Sequence, residues 1–80
     1  MITMEEMSLA ILIGALVRRL RHECQLSQED FADKCGLHRT YVGSIERGEK
    51  SITVETAKKL CDAFGISLAR FFQLLETGQE

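Results

Sequence analysis

The segment from residue 27 to residue 48 constrains the fold of this chain more than any other part of the sequence. Gly36 can end one helix in a left-handed conformation and turn the chain toward a second helix. Ala32 on the first of these helices is small enough to let another helix approach closely. On the second helix, Val42 and Ile45 have the spacing of an inward, packed face. The pattern therefore predicts two short helices joined by a tight turn.

Start and stop signals along the rest of the chain predict three further helices. The five predicted helices run from about Ser8 to Cys24, after Ser27 to Gly36, from about Arg39 to Arg47, after Thr53 to Gly65, and from Ser67 onward. The sequence has no proline and 45% apolar residues, which favours an all-helical globule. We therefore expect one all-α domain over residues 1–80, with an N-terminal helix extension at about residues 4–16.

Apolar periodicity predicts which helix faces form the core. The predicted packed stripe of the first helix is Leu9, Ile13, Leu16, Val17, Leu20 and Cys24, and the predicted buried residues of the fourth are Val54, Ala57, Leu60, Cys61 and Phe64. The first half of the first helix has a second apolar side, formed by Ile11, Leu12 and Ala15. Burial of that side under the last helix and burial in a subunit interface remain alternatives.

The three cysteines, Cys24, Cys35 and Cys61, are scattered and odd in number, which is typical of reduced thiols in a cytoplasmic protein. Each occupies an apolar helix position, so we expect them to pack as small hydrophobic residues. Their spacing does not suit metal ligation, and a metal site that includes His22 or His38 is the weaker alternative. We expect neither a metal nor another cofactor.

Membrane insertion and catalysis are both disfavoured by the sequence. The most apolar run, residues 9–17, falls well short of the roughly 20 residues that a spanning helix needs, and the chain shows no signal-peptide pattern. The two histidines have no suitably spaced acidic or thiol partner, and the sequence has no glycine-rich phosphate loop. We therefore expect a cytoplasmic protein that is not an enzyme and does not bind a membrane.

The charge distribution favours nucleic acid as a partner in spite of a net charge of −2. Residues 17–50 carry a net charge of +1, whereas both flanking segments are negative. A helix pair whose second helix has one packed face and one free polar face is the pattern of a DNA-reading helix-turn-helix. A chain this acidic should bind random DNA with modest affinity and depend on fit and on a second subunit for strength.

Four residues on the polar side of the third helix are candidates for contacts with DNA bases. A guanidinium near the start of a recognition helix can donate two hydrogen bonds to guanine, which makes Arg39 the strongest candidate. Thr40 and Ser44 are short enough to reach base edges or a phosphate. Gly43 costs about 1 kcal/mol relative to alanine in a helix, and close approach of the helix backbone to DNA would compensate. Ordinary surface polarity is the alternative interpretation.

Contacts with the DNA backbone are expected around the same helix. Gln28, the first residue of the second helix, lies where exposed backbone amides can face a phosphate. Tyr41 can pack its ring on the protein while its hydroxyl faces DNA. The full set of predicted backbone contacts is Gln28, His38, Tyr41, Arg47 and Lys50.

An ion pair is expected between two packed helices. Arg21 and Glu46 both lie near helix faces that must meet if the fold is to close. We therefore expect them to form a structural ion pair, and two ordinary surface charges are the alternative. Removing one partner of a fully buried pair costs about 3 to 5 kcal/mol.

The small size of the chain and the apolar character of the last helix predict a homodimer. A domain this short buries only about 60% of the surface of its unfolded chain, so a second subunit would complete the core. The predicted interface consists of Ile66, Leu68, Phe71, Phe72 and Leu75. A two-fold dimer would place its recognition helices about 34 Å apart and read a pseudo-palindrome. Assembly of dimers into tetramers on DNA is left open.

A set of residues at fixed offsets resembles the Cro/CI-type (XRE) helix-turn-helix family. The matching positions are Val17, Arg18, Leu20, Arg21, Leu26 to Glu29, Ala32, Gly36, Ile45 to Gly48, Leu60 and Ala63 to Ile66. The resemblance implies a five-helix, lambda-repressor-like domain that binds operator DNA as a two-fold dimer. The roles it implies are Gln28 at a phosphate, Arg39, Thr40 and Ser44 at bases, and Arg21 paired with Glu46.

Within that family, residues 37–42 together with residues 45–48 are most similar to the small controller proteins of restriction-modification systems. Controller proteins are dimers that regulate their own gene and the endonuclease gene. Prophage-type repressors, antitoxins and other stand-alone regulators are the alternatives within the family. A helix-turn-helix scaffold that docks another protein through its first and last helices is the alternative function.

Overall fold

In a computed structural model of the protein, residues 8–78 are described, and this part of the chain folds into five α-helices. The helices are α1 (Leu9–Glu23), α2 (Gln28–Cys35), α3 (Arg39–Glu46), α4 (Val54–Phe64) and α5 (Leu68–Thr77). The predicted all-α, five-helix fold is confirmed, and the predicted helix boundaries agree within a residue or two. The first part of the predicted N-terminal extension, residues 4–7, lies outside the described residues.

Local capping groups set the helix boundaries. Ser27 Oγ accepts a hydrogen bond from the backbone N–H of Asp30 at 3.0 Å at the start of α2. Thr53 Oγ1 accepts one from the N–H of Thr56 at 3.1 Å at the start of α4. Gly36 ends α2 with a φ of 73°, a left-handed conformation that glycine adopts without steric cost. Each boundary therefore depends on residues that are close together in the sequence.

The core is formed by α1 packing against α3, α4 and α5, with α2 packing against α3 and α4. The largest fully buried side chains are Phe31, Phe71, Ile45, Leu60, Val17, Val42 and Cys61. Phe31 stacks on Phe64 with ring centroids 4.5 Å apart. A Cβ atom on Gly14 would overlap the carbonyl oxygen of Ile45. α1 and α3 therefore meet backbone to backbone, and this close approach positions α3.

Three residues predicted to pack in the core are exposed instead. Leu9 and Val54 are 64% and 66% exposed, because each is the first residue of its helix and extends beyond the packed part of that helix. Cys24 is exposed as well, at the position directly after the last residue of α1.

The other two thiols pack in the core, as predicted. Cys35 and Cys61 are buried free cysteines, and burial raises the pKa of the Cys35 thiol to about 11. Among residues 8–78, no group of histidine, cysteine, aspartate and glutamate side chains is arranged to hold a metal ion. Within the same range, none of the helices combines the length and the apolar character needed to cross a membrane.

The second apolar side of α1 lies in two different environments. Leu12 and Ala15 border a groove of about 220 Å³ beside Leu75 of α5, where Leu12 is half-buried and Ala15 is exposed. Ile11 remains 48% exposed. It lies against Gly48, where a Cβ atom would be 2.9 Å from Ile11 Cα. The chain itself therefore covers this side only in part.

Candidate nucleic-acid interface

The α2 and α3 pair presents one side of α3 to solvent. Val42 and Ile45 are 0% and 1% exposed and anchor the opposite side in the core. Arg39 and Thr40, in the first turn of α3, are exposed, and so is Arg47, the residue that caps its end. The start and the end of α3 are therefore free to contact another molecule.

The prediction that Ser44 lies on that free face is wrong, because the residue is buried. Gly43 is also buried, but it borders the free face. The Ser44 hydroxyl donates a hydrogen bond to the carbonyl oxygen of Thr40 at 3.1 Å, a bond to the preceding turn that serine forms readily. A Cβ atom on Gly43 would lie 3.1 Å from Arg47 Nη1 and 3.5 Å from Gln28 Oε1. Side chains from α2 and from the end of α3 cover this part of the helix.

A polar groove of about 470 Å³ lies between the start of α2 and the exposed side of α3. Its lining residues are Ser27, Gln28, Glu29, Arg39, Thr40, Gly43 and Arg47. The fold thus brings five of the predicted DNA-contact residues to one place. The start of a helix carries unpaired backbone N–H groups and a partial positive charge, so one wall of the groove is suited to a phosphate.

The remaining predicted DNA contacts lie outside this groove. His38 caps α3, and its ring Nδ1 accepts a hydrogen bond from the N–H of Thr40 at 3.1 Å. Tyr41 is half-buried and packs against the core, whereas Lys50 is exposed in the connection that follows α3. The capping role of His38 was missed by sequence analysis, which assigned it to the DNA backbone alone.

The structure contains the ion pair expected between Arg21 and Glu46. Arg21 Nε donates to Glu46 Oε2 at 2.6 Å and Arg21 Nη2 donates to Glu46 Oε1 at 2.9 Å. The two side chains are 10% and 3% exposed. Arg21 Nη1 also donates to the carbonyl oxygen of Leu26 at 2.9 Å. The pair therefore connects α1 to α3 and to the segment that leads into α2.

Gln28 is held by the same carboxylate. Its Nε2 donates a hydrogen bond to Glu46 Oε1 at 3.0 Å. Burial alone would raise the pKa of Glu46, but the hydrogen bonds from Arg21 and Gln28, together with the positive charges of Arg21 and Arg18, outweigh burial and lower it. The charged carboxylate therefore orients Gln28 at the edge of the groove. Sequence analysis missed this contact, because the two residues belong to different helices and no spacing rule relates them.

Two exposed carboxylates accompany the arginines of the groove. Glu29 Oε1 lies 3.8 Å from Arg39 Nη1, and Arg47 Nε donates to Glu49 Oε2 at 2.9 Å. All four side chains are more than half exposed. Because exposed ion pairs of this kind contribute little to stability, either arginine can exchange its partner for another anion.

Comparison with known protein families identifies the family to which this chain belongs. The family model described as helix-turn-helix matches residues 17–71, from the middle of α1 into α5. The chain belongs to the helix-turn-helix family. This family consists of DNA-binding regulators rather than enzymes.

Several control proteins are similar to this helix-turn-helix chain. Control protein C.SmaI from Serratia marcescens is 39% identical over 64 residues, which cover 80% of this chain and 76% of that protein. Control protein C.BamHI from Bacillus amyloliquefaciens is 37% identical over 60 residues, which cover 74% of each chain. The resemblance to controller proteins is thereby confirmed.

A solved controller structure has the same fold. It is the restriction-modification controller protein C.Esp1396I, crystallised as a tetramer in complex with its natural 35 base-pair operator. The two structures have a TM-score of 0.80 at 29% sequence identity, and the match covers 86% of this chain and 91% of the other.

In this helix-turn-helix protein, the side of α5 that faces solvent differs from the side that was predicted to form the subunit interface. Phe71 and Leu74 are 0% and 3% exposed, because this side of α5 packs against α1 and α4. The prediction that Phe71 lies in a subunit interface is therefore wrong. Phe72 is 38% exposed on another side of the helix. The remaining predicted interface residues, all half-buried, are Ile66, Leu68 and Leu75.

Proposed function

We propose that this chain is a sequence-specific transcription regulator of the controller type, which binds a pseudo-palindromic operator as a homodimer in the cytoplasm. The observation that carries the proposal is the exposed start of α3, with Arg39 and Thr40, beside the N-terminus of α2 in one polar groove. Such a first turn can reach base edges in the major groove. Similarity to control proteins and to a controller protein bound to its operator supports the same function.

The proposed DNA contacts divide between bases and backbone. Arg39 and Thr40 contact bases, Gly43 permits close approach, and the proposed backbone contacts are Gln28, His38, Tyr41, Arg47 and Lys50. Gln28 has a second side-chain N–H to offer a phosphate, since Glu46 accepts only one. Ser44 is assigned no DNA contact, because its hydroxyl already donates to the helix backbone.

The homodimer would form through the exposed side of α5 and the connection before it. Phe72 is the exposed large apolar residue of α5, and Ile66, Leu68 and Leu75 lie partly exposed on the same helix and the adjoining connection. A two-fold dimer would place its two copies of α3 about 34 Å apart, one turn of DNA. C.Esp1396I was crystallised as a tetramer on its operator, and pairing of two dimers of this chain on DNA would extend the same proposal.

Selection of bound sequences from a random duplex pool tests the proposed function. The purified protein is used at a stated salt concentration, and the enriched sequence is footprinted. We expect an inverted repeat whose half-site centres lie about 10 base pairs apart. Equal and weak affinity for every duplex would contradict the proposal and direct attention to the groove between α1 and α5 as a protein-docking surface.

Replacing Arg39 with alanine is expected to weaken operator binding by about 1 to 3 kcal/mol and to relax the preference at one base pair, because a bidentate contact with guanine is lost. Competition titrations with operators that carry each base at that position measure both effects. Lys50→Ala is the control, since loss of a phosphate contact should weaken all sequences alike. Equal weakening of all sequences by R39A would assign Arg39 to the DNA backbone.

Replacing Phe72 with glutamate is expected to convert the dimer into a monomer at micromolar concentration, because a charge would be buried against the partner subunit. Sedimentation velocity measures the change. Val54→Glu is the matched control, since Val54 is also an exposed apolar residue but lies at the start of α4. A wild-type monomer, or a dimer that persists in F72E, would exclude this interface.

A further inference from the structure

The side chain of Arg47 is folded back over the groove that faces DNA in the proposed function. Its guanidinium donates to both oxygens of Glu49, with Nε at 2.9 Å and Nη2 at 3.2 Å. Nη2 also lies 3.4 Å from the hydroxyl oxygen of Ser44. Nη1 covers Gly43, within 3.1 Å of the position that a Cβ atom would occupy. Arg47 thus lies over the one position where the α3 backbone has no side chain of its own.

The carboxylate of Glu49 is positioned by the backbone turn that ends α3. Gly48 adopts a φ of 76°, and its N–H donates to the carbonyl oxygen of Ile45 at 3.0 Å. The N–H of Glu49 donates to the carbonyl oxygen of Ser44 at 3.0 Å. These two bonds form the helix-ending turn of a Schellman motif. Glu49 is therefore held beside Arg47 by the fold.

Both members of the pair are charged at neutral pH. The hydrogen bond to Glu49 raises the pKa of Arg47, and the hydrogen bond from Arg47 lowers the pKa of Glu49. The positive charge of Arg47 is thus compensated within the protein before any DNA is bound. An exposed ion pair of this kind contributes little to the stability of the fold. We therefore expect the Arg47–Glu49 pair to affect DNA binding instead.

We propose that Glu49 limits the affinity of this protein for DNA, because it holds Arg47 across Gly43 in the free protein and competes with DNA phosphates for its guanidinium. The inference rests on the proposed function. Nonspecific duplex is held almost entirely by phosphate contacts, so it gains less from Arg47 while Glu49 remains bound. An operator adds base contacts through Arg39 and Thr40, but the free energy needed to release Arg47 from Glu49 is the same for both kinds of DNA. Glu49 therefore weakens random and operator binding by a similar factor.

Titration of Glu49→Gln against a random duplex and against the selected operator, over a series of salt concentrations, tests the proposal. We expect random-duplex affinity to rise about 2- to 5-fold and the slope of log K against log salt to steepen by roughly one phosphate contact. Operator affinity should rise by a similar factor, so the ratio of operator to random affinity stays unchanged. Because Glu49 is exposed, the thermal midpoint should stay unchanged.

Two further variants separate this role from a simple change of net charge. Glu76→Gln removes one negative charge from an exposed position on α5, which packs on α1 and α4. In the Arg47→Gln background, the effect of E49Q should fall to that of E76Q, because no guanidinium remains to be released. An equal effect of E49Q and E76Q in the wild-type background, or an undiminished effect of E49Q without Arg47, would overturn the inference. Failure of the proposed function would be recognised separately, as a wild-type protein that does not distinguish operator from random duplex.

Discussion

Replacing Gly14 with alanine is expected to destabilise the protein by at least about 3 kcal/mol, the upper end of the usual cost of overpacking. The new Cβ atom would overlap the carbonyl oxygen of Ile45 and lie 2.8 Å from that of Glu46. Backbone atoms of a packed helix cannot move aside singly, so α1 and α3 would have to separate. Thermal unfolding followed by circular dichroism should show the midpoint falling by roughly 12 to 24 °C for a domain of this size.

The chain offers a matched control in Gly43→Ala. Both glycines lie inside helices, so each substitution gains the same helix propensity of up to about 1 kcal/mol. A Cβ atom on Gly43 would meet only the movable ends of Arg47 and Gln28. G43A should therefore unfold at the wild-type temperature or above it. Equal midpoints for G14A and G43A would mean that the close approach of α1 and α3 contributes nothing to stability.

Helix positions could be predicted from the sequence because their causes are local. Ser27, Thr53 and Ser67 each cap the helix that follows them, and Gly36 and Gly65 end helices in a left-handed conformation. All of these signals act within a few residues. The arrangement of α2 and α3 followed from them together with the inward spacing of the third helix.

Contacts between helices could not be predicted from spacing along a single helix. A helical wheel places Ser44 on the free face, because a wheel shows only the residues of α3 itself. It includes neither the Gln28 side chain from α2 nor the Arg47 side chain that folds back over α3. On α5, Phe71 and Phe72 both fit an apolar stripe. Packing of α5 on α1 and α4 selects Phe71 for the core and leaves Phe72 partly exposed. The corrections to the candidate site therefore come from neighbouring helices and from hydrogen bonds at the two ends of α3.

Replacing Glu46 with alanine is expected to destabilise the protein by about 3 to 5 kcal/mol, because Arg21 would keep its buried charge without a partner. Arg21 is only 8% exposed, and Gln28 would lose its acceptor as well. Urea unfolding at pH 7 measures the loss. Glu49→Ala is the control, since its ion pair with Arg47 is exposed and its removal should leave stability unchanged within error.

The stability contributed by Glu46 should disappear in acid. Burial opposes its charge, but the hydrogen bonds from Arg21 and Gln28 and the positive charges of Arg21 and Arg18 together outweigh burial, so the pKa of Glu46 is lowered in the folded protein. A carboxyl whose pKa is lowered by folding contributes fully above its unfolded value, about 4.3 for glutamate, and loses that contribution as the pH falls through the folded value. The difference in stability between the wild type and E46A should therefore begin to shrink as the pH falls below about 4.3, and it should be lost only once the pH has passed the lowered folded value. A difference of the same size at pH 3 and pH 7 would instead assign the loss to the cavity left by the side chain, and the electrostatic role of the pair would be wrong.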